Sequence, residues 1–233
     1  MNAALVLSCE HASRALPAAL RARFAGHDRV LSSHRGWDPG AHDLARDLAR
    51  ATGAPLVAGR WNRLVVDLNR SEDHPRVFSE FTRDLPDARR KRLLAQVYRP
   101  HRARVAELVQ AGIAASGRVL HLGCHSFTPV LHGRRRDMHI GLLHDPRRAF
   151  ERQVCEALRR RLRARDPRLV VAFNRPYRGT SDGLTTTLRG RFGRRAYAGV
   201  ELEVNQRLVT GDARRWATLR RMLTEEVTDL LRD

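Results

Sequence analysis

Two histidines and a set of acids stand where apolar runs of this sequence give way to polar residues. Leu5 to Ser8 leads into Ser8-Cys-Glu-His11, and Val119 to Gly123 leads into Cys124-His-Ser126. Leu64 to Leu68 contains Asp67 and ends in Asn69-Arg70; a late alternating run carries Glu201 and Glu203, with Asn205 just after. In an open α/β sheet, ligands bind beyond the carboxyl ends of strands, so these four clusters are where chemistry is to be sought. A catalytic zinc ion takes three protein ligands of nitrogen and oxygen type and keeps a fourth position for water. His11, His125 and a nearby carboxylate can supply that set. No histidine pair at helical spacing carries the glutamate of the helix-borne zinc protease motif, so such a site must be assembled from separate strand ends. A single histidine at a strand end is more often a hydrogen-bonded structural residue than a ligand. The conjunction of two with acids in matching places is what points to a metal. His27, His74 and His144 fall in turn-like contexts and are read as surface residues.

The elements that must position these groups alternate along the chain. Ala41, Leu44, Ala45 and Leu48 recur at helical spacing over residues 41–52, and Gly53 stops the pattern. Residues 55–59 and 64–68 read as strands. Residues 86–116 are strongly helical, with a kink or end expected near Pro100, whose ring clashes and whose N–H is missing. Strands follow at 119–123, 140–143, 169–173 and 199–204, with a helix from about Pro146 to Arg165 and a last one from about Asp212 to Leu231. Strands separated by helices predict an α/β sandwich with a mixed, largely parallel sheet. No low-complexity linker or internal repeat divides the chain, so residues 1–233 read as one domain.

Composition narrows the function classes. The 233 residues are 42% hydrophobic and 30% charged, enough for a real core. No run approaches the roughly 18 apolar residues of a membrane span. The N-terminal apolar stretch is short and has no basic segment before it, so it reads as a first strand and the protein as cytoplasmic. Three widely spaced cysteines argue against a disulfide framework. The formal net charge of +19 raises the question of nucleic acid. However, Lys91 is the only lysine, and the arginines are spread along predicted helices rather than gathered into a tail or recognised motif. Solvated helix faces are the preferred account, and nucleic acid is not the expected partner.

Several short motifs, taken in order, resemble the N-formylglutamate amidohydrolases. They are Ser8-Cys-Glu-His-Ala-Ser13 followed by Leu16-Pro17, His34-Arg-Gly-Trp-Asp-Pro-Gly-Ala41, Arg63-Leu-Val-Val-Asp-Leu-Asn-Arg70 and Tyr98-Arg-Pro-His101. His125-Ser-Phe-Thr-Pro129, Asn174-Arg-Pro-Tyr177 and Glu203-Val-Asn-Gln206 complete the series. The resemblance runs from about residue 5 to 210. It implies an α/β/α sandwich similar to that of zinc carboxypeptidases, and hydrolysis of an N-acyl amino acid. The reaction for which the family is named removes formate from N-formyl-L-glutamate in histidine degradation. The chain departs at His101-Arg102, where the family has Tyr-His, and in its arginine-rich stretches 134–137 and 178–195. Those departures bear on the acyl group and the amino acid; a peptidase or deacylase of other acyl preference is the neighbouring reading. An arginine-rich nucleic-acid binder on an inactive hydrolase fold is the reading from another class.

On that resemblance, His11, Asp38 and His125 are the expected ligands of one divalent ion, zinc by preference. Asp38 is chosen because relatives carry histidine after the same tryptophan, and such a swap is easiest to explain at a ligand. Its alternative role is to cap the helix that starts near Ala41. Glu10 is the alternative carboxylate, disfavoured because neighbours on extended backbone point to opposite sides. Glu203 is the expected general base, with Glu201 the runner-up on the same pleat face. Asn69 and Arg70 are expected to hold the substrate carboxylate, with Arg63 helping there or at the oxyanion and Tyr177 lining the site. Arg175 is the next candidate clamp; pairing of Arg70 with Asp67 or Glu72 is the structural alternative.

Overall fold

The computed structural model describes residues 3–232. Its strands are β1 (Ala4–Cys9), β2 (Leu56–Ala58), β3 (Val119–Phe127), β4 (Val130–Leu131), β5 (Arg134–Arg135), β6 (Ile140–Leu143), β7 (Val171–Phe173) and β8 (Tyr197–Asn205). The helices are α1 (Asp28–Leu31), α2 (Ala41–Thr52), α3 (Asp87–Leu93), α4 (Arg99–Ser116), α5 (Ala149–Arg165), α6 (Leu184–Arg191), α7 (Gln206–Val209) and α8 (Ala213–Arg232). A 3-10 segment covers Ala18–Phe24.

Six strands form one sheet in the order β2-β1-β3-β8-β6-β7, and β4 and β5 make a separate small hairpin. The first four run parallel, β6 is antiparallel to β8, and β7 is parallel to β6. A parallel sheet must be covered on both faces, and the period of two along each strand divides the side chains between them. Leu5, Leu7 and Cys9 of β1, Leu120, Leu122 and Cys124 of β3, and Val200 and Leu202 of β8 pack beneath α2, α5 and α8. Val6, Val119 and Tyr197 pack on the other face, against Val105 and Val109 of α4 and Leu184 and Leu188 of α6. The result is the expected α/β/α sandwich. It also sorts the polar residues of the strands, since His125, Glu201 and Glu203 all have the parity of the α4/α6 face.

Three local readings need correction or refinement. Residues 64–68 are not a strand. Leu64, Val65, Val66 and Leu68 fill a third apolar cluster with Phe24, Val77, Leu85 and Tyr98. Local bonds replace a ladder there: Asn62 Oδ1 accepts from Leu64 N, and Asp67 Oδ1 from Asn69 N. An apolar run that fills a core from a loop carries the same hydrophobic signal as a strand. The helix does not end at Pro100; the interruption expected there takes the form of a π turn. Leu94–Tyr98 is a π turn between α3 and α4 in which Arg99 N bonds to Leu94 O, and the wider turn absorbs the proline. Finally, His144 is buried, its ring edge-on to Phe173.

Candidate metal centre

Parallel pairing of β1, β3 and β8 brings their carboxyl ends side by side. Register places His125 opposite Glu203 on the neighbouring strand, and Ser8 opposite Gly123. His11 lies two residues beyond β1. Asp38 lies in the turn before α2, where its backbone N–H donates to His11 O. Its carboxylate does not cap α2: the N-cap is Gly40, in the left-handed region at φ 75°, with no side-chain cap. The Asp38 side chain turns instead to the histidines.

One oxygen of Asp38 meets both imidazoles. Oδ2 lies 3.0 Å from His125 Nδ1 and 3.4 Å from His11 Nδ1. His11, Asp38 and His125 are all buried, and one ligand atom of each lies within 4.8 Å of the others. Ligands on a tetrahedral zinc at bonds of about 2.0–2.1 Å stand about 3.3 Å apart, so this spacing suits an ion. The far side of each ring meets a carboxylate as well. His11 Nε2 is 2.7 Å from Asp67 Oδ1, and His125 Nε2 is 3.0 Å from Glu10 Oε2. A metal-bound histidine characteristically donates its other ring N–H to a carboxylate, which fixes tautomer and orientation. His11 makes that hydrogen bond to Asp67, and His125 has the Glu10 carboxylate at ion-pair distance, outside hydrogen-bond geometry.

Glu10 is therefore brought in from the opposite side of His125, away from the triad, with His101 of α4 at 3.7 Å from its other oxygen. The sequence did not single out this supporting role of Glu10, Asp67 and His101; the spacing of Arg63 and Asp67 was its one available sign. Arg63 binds Asp67 through Nη2 at 2.7 Å and approaches Asp38 at 3.7 Å. Burial raises the pKa of Asp38, Asp67 and Glu10, but the cationic partners prevail and hold all three carboxyls low.

Glu203 behaves differently. Burial pushes it up to about 8; His125 pulls against this, while Asp38 and Glu201 add to it. Its Oε2 is buried with no hydrogen-bond partner. Glu201 in contrast accepts from Thr185 Oγ1. Gly141 on the adjacent strand is needed for close approach here: a Cβ would fall 2.1 Å from Arg175 O and 3.2 Å from Glu203 Cβ.

These groups share one pocket of about 220 Å³, lined by His11, Asp38, His125, Glu203, Arg63, Asn69, Arg70 and Tyr177, with His34, Arg178 and others. Every expected site residue is thus brought to one cavity. Asn69 Oδ1 accepts from Leu184 N at the start of α6, which leaves its amide nitrogen for the pocket. The alternative partners of Arg70 are engaged elsewhere, Asp67 by Arg63 and His11, Glu72 by Arg99. The Arg70 carbonyl is held by Tyr98 Oη at 2.6 Å and Arg102 Nη1 at 3.0 Å. Arg175 does not line the cavity; Arg178 does. Tyr177 accepts from Arg136 Nη1, whose guanidinium lies 5.0 Å from the tyrosine ring.

A sequence model of the family described as N-formylglutamate amidohydrolase matches residues 3–210. The chain belongs to that family. Among its relatives, an N-formylglutamate deformylase of Pseudomonas putida is 31% identical over 115 residues, 42% of each chain. One of Pseudomonas aeruginosa is 28% identical over 159 residues, 59% of this chain and 58% of the relative. These alignments span about half the length of the curated relatives. The crystal structure of a gene product of Agrobacterium tumefaciens is 32% identical, with a TM-score of 0.77 over 98% of this chain and 92% of that one. The N-formylglutamate amidohydrolase of Ralstonia eutropha, 21% identical, superposes with a TM-score of 0.74 over 99% and 93% and shares the family fold.

Proposed function

We propose that this chain is a metal-dependent amidohydrolase that removes the acyl group, formyl in the first instance, from an N-acyl amino acid such as N-formyl-L-glutamate. The observation that carries the reading is the doubled arrangement at the histidines: both rings turn Nδ1 to Asp38 while both Nε2 atoms abut a carboxylate. Two imidazoles and one carboxylate facing an open pocket suit zinc. When bound, such an ion supplies a Lewis acid that polarises the amide carbonyl and lowers the pKa of water. Glu203 takes the proton of the attacking water and delivers it to the departing amine. Its Oε2 is buried without a hydrogen-bond partner beside the histidines, so the ionised carboxylate has a free oxygen to take up that proton.

Arg70 and the Asn69 amide nitrogen hold the substrate carboxylate, and Arg63, fixed by Asp67, assists there or at the oxyanion. Tyr177 borders the same pocket. N-formylglutamate comes to this chain from relatives that are N-formylglutamate deformylases; a place in histidine degradation, a cytoplasmic location and a single domain belong to the same proposal. No described helix is long and apolar enough to cross a membrane.

The test is a panel of N-formyl and N-acetyl amino acids with zinc-loaded protein, alongside metal analysis of a His11→Ala, His125→Ala variant. Hydrolysis of at least one N-acyl amino acid and loss of zinc from the variant are expected. Undiminished zinc, or no turnover anywhere in the panel, overturns the reading. Arg70→Lys keeps the charge but loses the planar fork, so it should raise KM for N-acyl amino acids and leave their amide analogues almost unaffected. Equal weakening of both substrate types would make Arg70 a structural residue.

A further inference from the structure

Residues of one loop, 174–183, face two different cavities. Tyr177, Arg178, Ser181 and Asp182 line the pocket of the metal centre, whereas Thr180 lines a cavity of about 470 Å³ that shares no residue with it. Five arginines wall this second cavity: 147, 148, 189, 191 and 194. Two of them form its floor. Arg148 and Arg189 lie 3.1 and 2.9 Å from Glu151, with side chains only 5% and 7% exposed and the carboxylate at 0%.

One buried carboxylate cannot neutralise two buried guanidiniums, so the floor keeps a net positive charge where water screens it poorly. The remaining bonds of this pair go to uncharged acceptors: the carbonyls of residues 192, 193 and 197 for Arg148, and the carbonyls of 179 and 199 with Thr186 Oγ1 for Arg189. Those bonds fix the guanidiniums without offsetting their charge. Burial and the repulsion of Arg189 and Arg194 accordingly hold Arg148 below its ordinary value, against the pull of Glu151. At the rim, Arg147 forks onto Asp145. Arg191 and Arg194 are exposed, with no carboxylate partner among the described residues. Five guanidiniums against Asp145 and Glu151 leave an excess of three positive charges around one concavity.

We propose that this cavity binds a phosphate-type oxyanion, gripped by Arg191 and Arg194 above the positive floor. A single carboxylate would leave most of the excess charge unmet, whereas a multivalent phosphate group offsets more of it. Its several oxygens also match guanidinium forks arriving from different sides. The cavity is larger than free phosphate needs, so the group can equally be the end of a larger phosphorylated molecule. Both sources share the recognised chemistry, and two probes separate them.

The experiment is isothermal titration of the full-length, zinc-loaded protein in a chloride buffer, with inorganic phosphate and with ADP. Saturable binding is expected, unchanged in Arg70→Ala and weakened roughly tenfold or more in an Arg191→Ser, Arg194→Ser double variant, which removes both gripping guanidiniums. Both substituted residues are exposed, and an unchanged melting temperature will show that the variant is folded. Tighter binding of ADP than of phosphate identifies the group as one carried on a nucleotide; equal binding identifies the free ion. No saturable binding of either probe, full affinity in the double variant, or loss of affinity in Arg70→Ala overturns the proposal, the last by moving the anion to the metal-centre pocket.

Discussion

Four buried carboxylates crowd the site, and what separates them is who holds their charge. Asp38 and Glu10 face imidazoles, and Asp67 faces an imidazole and a guanidinium, so each is kept ionised. Glu203 has an unpartnered oxygen and two acids for neighbours, and it alone of the four is pushed up, to about 8. Titratable groups whose environments drive their pKa values apart take different chemical roles. On the proposed mechanism, Asp67 and Glu10 flank the two histidines, Asp38 completes the ligand set, and Glu203 moves a proton. Glu203→Gln should therefore keep its zinc and lose about 10²- to 10⁴-fold in kcat. Glu201→Gln, whose wild-type carboxylate is occupied by Thr185, should lose far less. A Glu203→Gln enzyme that holds zinc and turns over at the full rate removes the base from the mechanism.

The strands that carry these residues are stitched beneath the site by a buried polar line. His121 in β3 meets Ser8 in β1 through Nε2 and Tyr197 in β8 through Nδ1, each at 2.8 Å. A neutral ring needs one donor and one acceptor, and two hydroxyls can supply both. Burial lowers His121 from 6.5 to about 4, with Arg189, His101 and His125 adding to it and Glu10 opposing. The folded-state pKa is depressed, so the unfolded chain takes up the proton first. The contribution is complete above pH 6.5 and is lost as pH falls towards 4, amounting to about 3 kcal/mol over that window. Urea unfolding of wild type and His121→Asn at pH 7 and pH 4.5 reads this as a flatter pH slope in the variant; identical slopes would show that His121 does not titrate as stated.

None of this line was legible in the sequence, where His121 lies inside an apolar run. The strands themselves were, because burial on both faces leaves near-continuous apolar runs and helices leave period-3.6 faces. The run 64–68 misled for the same reason: hydrophobicity reports burial, and a loop over its own small core is buried too. Ordered motifs carried His11, Asp38, His125 and Glu203, but which acid supports which ring depends on side-chain direction at a turn. Glu10 and His11 stand just past the end of β1, where strand alternation no longer applies.

At the scale of the molecule, the triad joins parts that the apolar cores leave separate. His11 and His125 come from the sheet and Asp38 from the turn before α2, while Asp67 reaches His11 from the loop over the small cluster around Phe24 and Tyr98. An ion held by the first three locks the turn and, through Asp67, the small cluster onto the carboxyl edge of the sheet. The large clusters on the two sheet faces do not depend on it. Metal removal should therefore lower stability without abolishing the fold. At free zinc about a hundredfold above its Kd, linkage contributes about 2.7 kcal/mol. For a chain of this length each kcal/mol moves Tm by roughly 2–4 °C, so chelation should lower Tm by about 5–10 °C. Native far-UV circular dichroism should persist below the transition. The same treatment should leave His11→Ala unmoved, because its site no longer distinguishes the folded chain from the unfolded one. A chelator-treated wild type that melts where the zinc-loaded protein does, or a His11→Ala variant that still responds to zinc, would place the ion somewhere other than between these three side chains.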